Sequence, residues 1–180
     1  MAEPDPGVTL VELARSWFGP VEIIVNNAGI ARPAPVQQIN PADVIEEVEV
    51  HLIGPMSLLA AAWGDLKDSE AGRVVNTASG VGAFGLAGAA AAKAAVMGFT
   101  RTAALEGARH GIAINAVAPI AQTRMAGATF DDLSAHLDPD LVASVVLWLC
   151  HPTCPANGET FPPVAGGLLA SSSLPPEEST

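Results

Sequence analysis

"RVVNTASGVGAFGLAGAAAAKAAVMGF", residues 73–99, passes from a β-branched apolar run through a glycine-rich link into an alanine-rich segment. Arg73 to Thr77 has the length and composition of a strand buried on both faces. Leu86 to His110 reads as a long helix, and Gly111 stands where a helix C-terminus favours glycine. "IAINAVAP", 112–119, is then a third strand of the chain, closed by Pro119. A strand, a long helix and another apolar strand make a parallel crossover. That reading sets the fold class as α/β, a parallel sheet with helices on both faces.

The flanking sequence continues the alternation. Val8 to Phe18 is periodic as an amphipathic helix, stopped by Gly19-Pro20, and "VEIIVN", 21–26, is a short parallel strand. Pro41 to Trp63 places Val44, Val48, Leu52, Met56, Leu59 and Trp63 at spacings of three and four, so a helix is expected there, kinked at Pro55. Asp138-Pro139 starts a helix through "PDLVASVVLWLC" with a side-chain cap and a first-turn proline. "ETFPPVAGG" holds a last short strand. Residues 1–169 form one expected domain, and 170–180 have the composition of a disordered tail.

Composition excludes several classes. The net charge of −11, from 8 basic and 19 acidic residues, repels phosphate backbones and anionic lipid, so neither nucleic acid nor membrane is an expected partner. Apolar runs are broken by Gly, Pro or charge before a membrane span is reached. "MAEPDPG" lacks the basic flank and apolar core of a signal peptide, and a cytoplasmic location is expected. Cys150, His151 and Cys154 have metal-like spacing but no fourth ligand nearby, so no metal is expected.

Gly80 to Gly85, "GVGAFG", spells G-x-G-x-x-G between a strand and a helix, the context of a dinucleotide loop. The next strand ends in "AVAPIAQ", with no acidic side chain to hold a ribose. By itself the motif is weak. Gly and Ala at this point also serve close helix packing.

"IVNNAGIA" (24–31), "AAAAKAAVMGFTRTAALEGARHGIAINAVAP" (89–119) and "LVASVVLWLC" (141–150) resemble the short-chain dehydrogenase/reductase family. Within it, "GRVVNTAS" and His51-Leu52-Ile53-Gly54 resemble the (3R)-hydroxyacyl-CoA dehydrogenase units of peroxisomal multifunctional enzymes, with His51 where most of the family carries a catalytic Asn. The resemblance implies that Asn26, Asn27, Ala28 and Gly29 shape a cofactor pocket and brace the sheet. It implies that Ser79 bonds a substrate oxygen. It makes Lys93 the residue that supports a Tyr four positions earlier and holds the nicotinamide ribose. That earlier position is Ala89, and the chain has no Tyr. The glycine-rich turn that binds pyrophosphate would precede Asn26, where only 25 residues stand.

The expectation is a partial Rossmann-like, three-layer parallel sheet lacking the first βαβαβ half. No NAD or NADP is expected unless that half is supplied otherwise. The expected role is a non-redox partner subunit or pseudoenzyme in acyl or polyketide-type metabolism. Alternatives are a repurposed isomerase, dehydratase, cyclase or hydrolase, or an NAD(P)-dependent 3-hydroxyacyl/3-ketoacyl oxidoreductase. Ser79, Lys93 and His51 are the catalytic candidates. Arg32 and Arg124 follow strand C-terminal ends, placed for an anionic substrate such as an acyl-CoA, and Trp63 and Trp148 are expected in the core. The apolar strand 21–25 lacks its outer neighbour, so a homo-oligomer, or a hetero-oligomer with a homologous dehydrogenase, is expected to cover it.

Overall fold

The β-branched runs pair in parallel, as the crossover reading requires. In the computed structural model, which describes residues 5–32, 34–79, 87–119, 138–164 and 167–168, four strands form one sheet. They are β1 (Ile23–Asn26), β2 (Arg73–Thr77), β3 (Ala113–Val117) and β4 (Thr160–Phe161), in that spatial order. Ile24 pairs with Val74, and Val74 with Ile114. A small antiparallel pair, β5 (Pro163–Val164) and β6 (Gly167–Leu168), follows.

The period of two along each strand sorts its side chains into two cores. Ile24, Val74 and Ile114 face helices α1 (Pro6–Phe18), α3 (Gly54–Asp68) and α4 (Ala87–Ala108), where they pack with Val11, Leu59, Leu66 and Ala104. Val75, Val117 and Phe161 face α5 (Pro139–Cys150) and pack on Val145 and Leu149. The three layers expected from the sequence are present.

Polar side chains tie the layers together. Asn76, fully buried in β2, accepts from Asn26 Nδ2 at 2.8 Å and donates to Thr100 Oγ1 at 2.9 Å; Thr100 in turn donates to Val96 O at 2.8 Å. One amide thus joins β1, β2 and α4. Arg73, also buried, donates to the carbonyls of Gly72 and Pro152 at 2.9 and 2.6 Å, clamping the turn after α5 to β2. Asn115 and Asn157 fasten β3 to the 156–159 segment in the same way.

Three element expectations are corrected. The helix expected over 41–63 is α2 (Pro41–Val48), a π-helical turn (Glu49–Ile53) and α3, which continues to Asp68. Pro55 follows directly on the π turn, so the departure from regular α-helix falls immediately before it. Trp148 is half-exposed instead of core, edge-on to Phe161 at 5.6 Å. Trp63 does pack against the core, edge-on to His110.

α1 is the third correction, starting at Pro6 where Val8 was expected, and its apolar stripe points largely outward. Gly7 allows its N-terminus onto α3, where a Cβ would meet the backbone of Ser57 and Leu58 at 2.6 and 2.7 Å. Asp5 caps the helix and takes the Ser57 hydroxyl, and Arg15 grips Asp65 with two nitrogens at 2.8 and 2.9 Å. Only Gly7 and Val11 are buried; Leu10 and Leu13 are exposed, and Trp17 and Phe18 are 74% and 87% exposed. Beside it, edge strand β1 leaves Ile23 and Val25 half-exposed. The 80–85 glycine motif, Arg124 and the tail lie outside the described residues.

Asn76→Ala is expected to cost about 2–3 kcal/mol, because it strands the Asn26 amide and the Thr100 hydroxyl in the interior. A urea-unfolding midpoint unchanged from wild type would contradict this.

Candidate functional site

The C-terminal ends of parallel strands are where open α/β sheets hold ligands. Here β1 runs out into Asn27–Gly29 and β2 into Ala78–Ser79, while α4 returns over them carrying Lys93. Lys93 Nζ donates to Thr77 O at 2.7 Å. Burial pushes its amine down to about 8. The two ion pairs among the described residues, Arg15–Asp65 and Arg32–Glu46, do not involve it.

His51 arrives from the π turn, which sets its ring inward at 4% exposure. Its Nε2 is 2.8 Å from Ile30 O, and a carbonyl only accepts, so Nε2 carries the proton. Nδ1 is then a lone pair, buried and without a partner among the described residues. Burial lowers the imidazole pKa most; the Ile30 carbonyl raises it, and the Lys93 charge lowers it further. The ring is neutral near pH 7. A Cβ at Gly29 would come within 2.8 Å of His51 Cε1, so this glycine gives room to the imidazole.

Of the other expected site residues, Asn26 braces the sheet through Asn76, and Asn27 Oδ1 is 3.5 Å from Thr77 Oγ1, a long contact. Ala28 is exposed at the surface, and Ser79 is half-buried two residues beyond Thr77. Ala89 stands four residues before Lys93, in the first turn of α4. His51, Lys93, Gly29 and the Thr77–Ser79 segment therefore share one end of the sheet.

Glu47 gave no signal in the sequence, lying among polar neighbours on α2. It is 1% exposed, and its Oε1 accepts from Arg32 N at 2.8 Å, fixing the chain after Gly29. The half-exposed Arg32 side chain pairs with Glu46 at 3.1 Å. A signal for Glu47 would have been its place one turn before His51.

A dinucleotide needs free helix N-terminal amides for its pyrophosphate. Among the described residues, those of α1, α2 and α5 are taken by Asp5, Asn40 and Asp138, two of them carboxylates. α3 continues directly from the π turn. These four helix ends therefore offer no free amides for a pyrophosphate. Nor do three His, Cys, Asp or Glu side chains converge among them; His151 Nδ1 meets Thr153 Oγ1 at 2.8 Å, and burial pushes the Cys150 thiol up. No helix among the described residues is long and apolar enough to cross a membrane.

The family profile for short chain dehydrogenase matches residues 2–134. The chain is 40% identical over 168 residues to peroxisomal multifunctional enzyme type 2 of Mus musculus, covering 91% of this chain and 23% of that protein. It thus spans less than a quarter of that relative's length. A short chain dehydrogenase from Mycobacterium avium superposes with a TM-score of 0.81 at 29% identity, over 97% of this chain and 62% of that one. A blue fluorescent protein from a metagenomic library, solved in complex with NADPH, gives 0.79 at 26% identity, over 89% and 70%.

Both perturbed bases make stability rise with pH, in separate windows. Below 6.5 the unfolded chain protonates His51 while the fold resists, so stability falls as the solution is acidified, and His51→Gln should flatten that limb. Between about 8 and 10.5 the unfolded chain holds the Lys93 proton and the fold releases it, so stability climbs with pH. Lys93→Met should remove this alkaline rise and leave the opposite trend of the Cys150 thiol, whose raised pKa lowers stability above about 9. Urea midpoints at pH 5, 7, 8 and 10 check both, and parallel curves for variant and wild type would contradict the assignment.

Proposed function

The chain belongs to the short-chain dehydrogenase family, and from that membership we propose that it is a non-redox member, a subunit that docks on a partner and serves acyl or polyketide-type carbonyl compounds. One observation carries the reading: Ala89 stands four residues before Lys93, and the chain has no tyrosine. Reducing a ketone by hydride requires a proton for its oxygen, and oxidising the alcohol requires a base for the same proton. Position 89 offers neither. The caps of α1, α2 and α5 support the same reading, since those three helix ends offer no free amides to a pyrophosphate.

The partner is assigned to the face formed by β1 and α1. An edge strand offers unpaired backbone groups, and Ile23, Val25, Leu10, Leu13, Trp17 and Phe18 add apolar area beside them. A second copy or a homologous dehydrogenase would pair along β1 and bury the stripe. The lone pair of His51 Nδ1 and the lowered amine of Lys93 favour a second reading, in which the same pocket end moves protons at a substrate oxygen for isomerisation, dehydration, cyclisation or hydrolysis, with Ser79 as a hydrogen-bonding group.

Fluorescence titration with NADH and NADPH should show no binding up to millimolar concentration; saturable micromolar binding would overturn the non-redox reading. In sedimentation velocity at micromolar concentration the chain should run as an oligomer or join a homologous dehydrogenase. The double change Trp17→Glu and Phe18→Glu should shift it to monomer with an unaltered circular dichroism spectrum. A wild-type monomer that joins nothing would remove the docking assignment.

A further inference from the structure

We propose that Lys93 captures carbonyl compounds covalently, its Nζ condensing with an aldehyde or ketone carbon to form an imine at the C-terminal ends of β1 and β2. The inference deepens the site reading above by naming the reactive atom and the functional group it takes. Four observations carry it. First, among the described residues Nζ makes one hydrogen bond, 2.7 Å long, to Thr77 O. A neutral amine still donates such a bond, more weakly than an ammonium, and its lone pair is then free for attack. Second, neither ion pair among the described residues holds the amine in its charged form. Third, Lys93 is only partly buried, so a small carbonyl compound can reach it, yet buried enough that the amine is drawn toward neutrality near pH 8. Fourth, His51 lies within electrostatic reach and offers a buried acceptor nitrogen with no partner among the described residues.

The step balances without a redox partner. The Nζ lone pair forms a C–N bond to the carbonyl carbon, and the carbonyl oxygen takes a proton, giving a carbinolamine. The nitrogen then gives up its remaining proton, the C–O bond breaks, and one water leaves. In this proposal His51 Nδ1, a buried acceptor within electrostatic reach of Lys93, takes the proton released by the attacking nitrogen and returns it to the departing oxygen. The imine withdraws electrons from its α-carbon, the activation needed for proton exchange or carbon–carbon cleavage beside a carbonyl.

The sequence provides an internal control, because its only other lysine is Lys67, exposed in the last turn of α3. The full chain is incubated at pH 7.5 with acetoacetate or acetaldehyde and sodium cyanoborohydride, which delivers hydride to the imine carbon and fixes it as a secondary amine. Peptide mass spectrometry then reads occupancy at each lysine. Modification of Lys93 at least tenfold faster than Lys67 is expected, and Lys93→Met, checked for folding by circular dichroism, should leave only the slow background. Equal or slower modification of Lys93 in the wild-type protein overturns the inference and needs no variant to fold. The nucleotide titration is separate: NADPH binding with preferential Lys93 trapping would overturn the non-redox reading alone, and silent titration without preferential trapping would overturn this inference alone.

Discussion

Everything in this fold hangs on one fully buried amide. Asn76 lies in β2, one of the two interior strands, and it receives a hydrogen bond from β1 and gives one to α4. A polar group taken from water must be paired, and once paired it fixes geometry more narrowly than apolar packing does. The end of β1 carries Asn27 and Gly29, the end of β2 carries Thr77 and Ser79, and α4 carries Lys93. Setting those three elements in register sets the site.

The site itself is governed by desolvation. Neither His51 nor Lys93 owes the direction of its shift chiefly to a charged neighbour; burial is the leading cause for both. Two bases drawn toward neutrality side by side reinforce each other, since a proton on either disfavours one on the other. The π turn is the backbone device behind this, because its extra residue re-aims His51 between two ordinary helices. Glu47, one turn earlier, holds the chain after Gly29 against the same element.

Legibility in the sequence followed the physical origin of each feature. The strands and α4 were visible because burial on both faces demands continuous apolar runs, and their ends fell within two residues of expectation. The π turn was invisible: hydrophobic spacing alone does not distinguish a helix that gains one residue in a turn from one kinked at Pro55. The outward direction of the α1 stripe is not legible in the sequence, because periodicity tells that an apolar face exists and not what covers it. Of the site, Asn26, Gly29, Ser79 and Lys93 were found by resemblance, whereas the orphaned Nδ1 of His51 and the buried Glu47 depend on three-dimensional enclosure.

The contact between Gly29 and the imidazole also constrains the order in which the chain can change over time. With His51 in place, any side chain at position 29 runs into the ring, so position 29 stays glycine until a smaller residue or another rotamer occupies position 51. The reverse step is open, because glycine tolerates whatever stands opposite. Within the motif read as a cofactor fingerprint, Gly29 thus has a steric reason of its own, set by the imidazole opposite and independent of any cofactor.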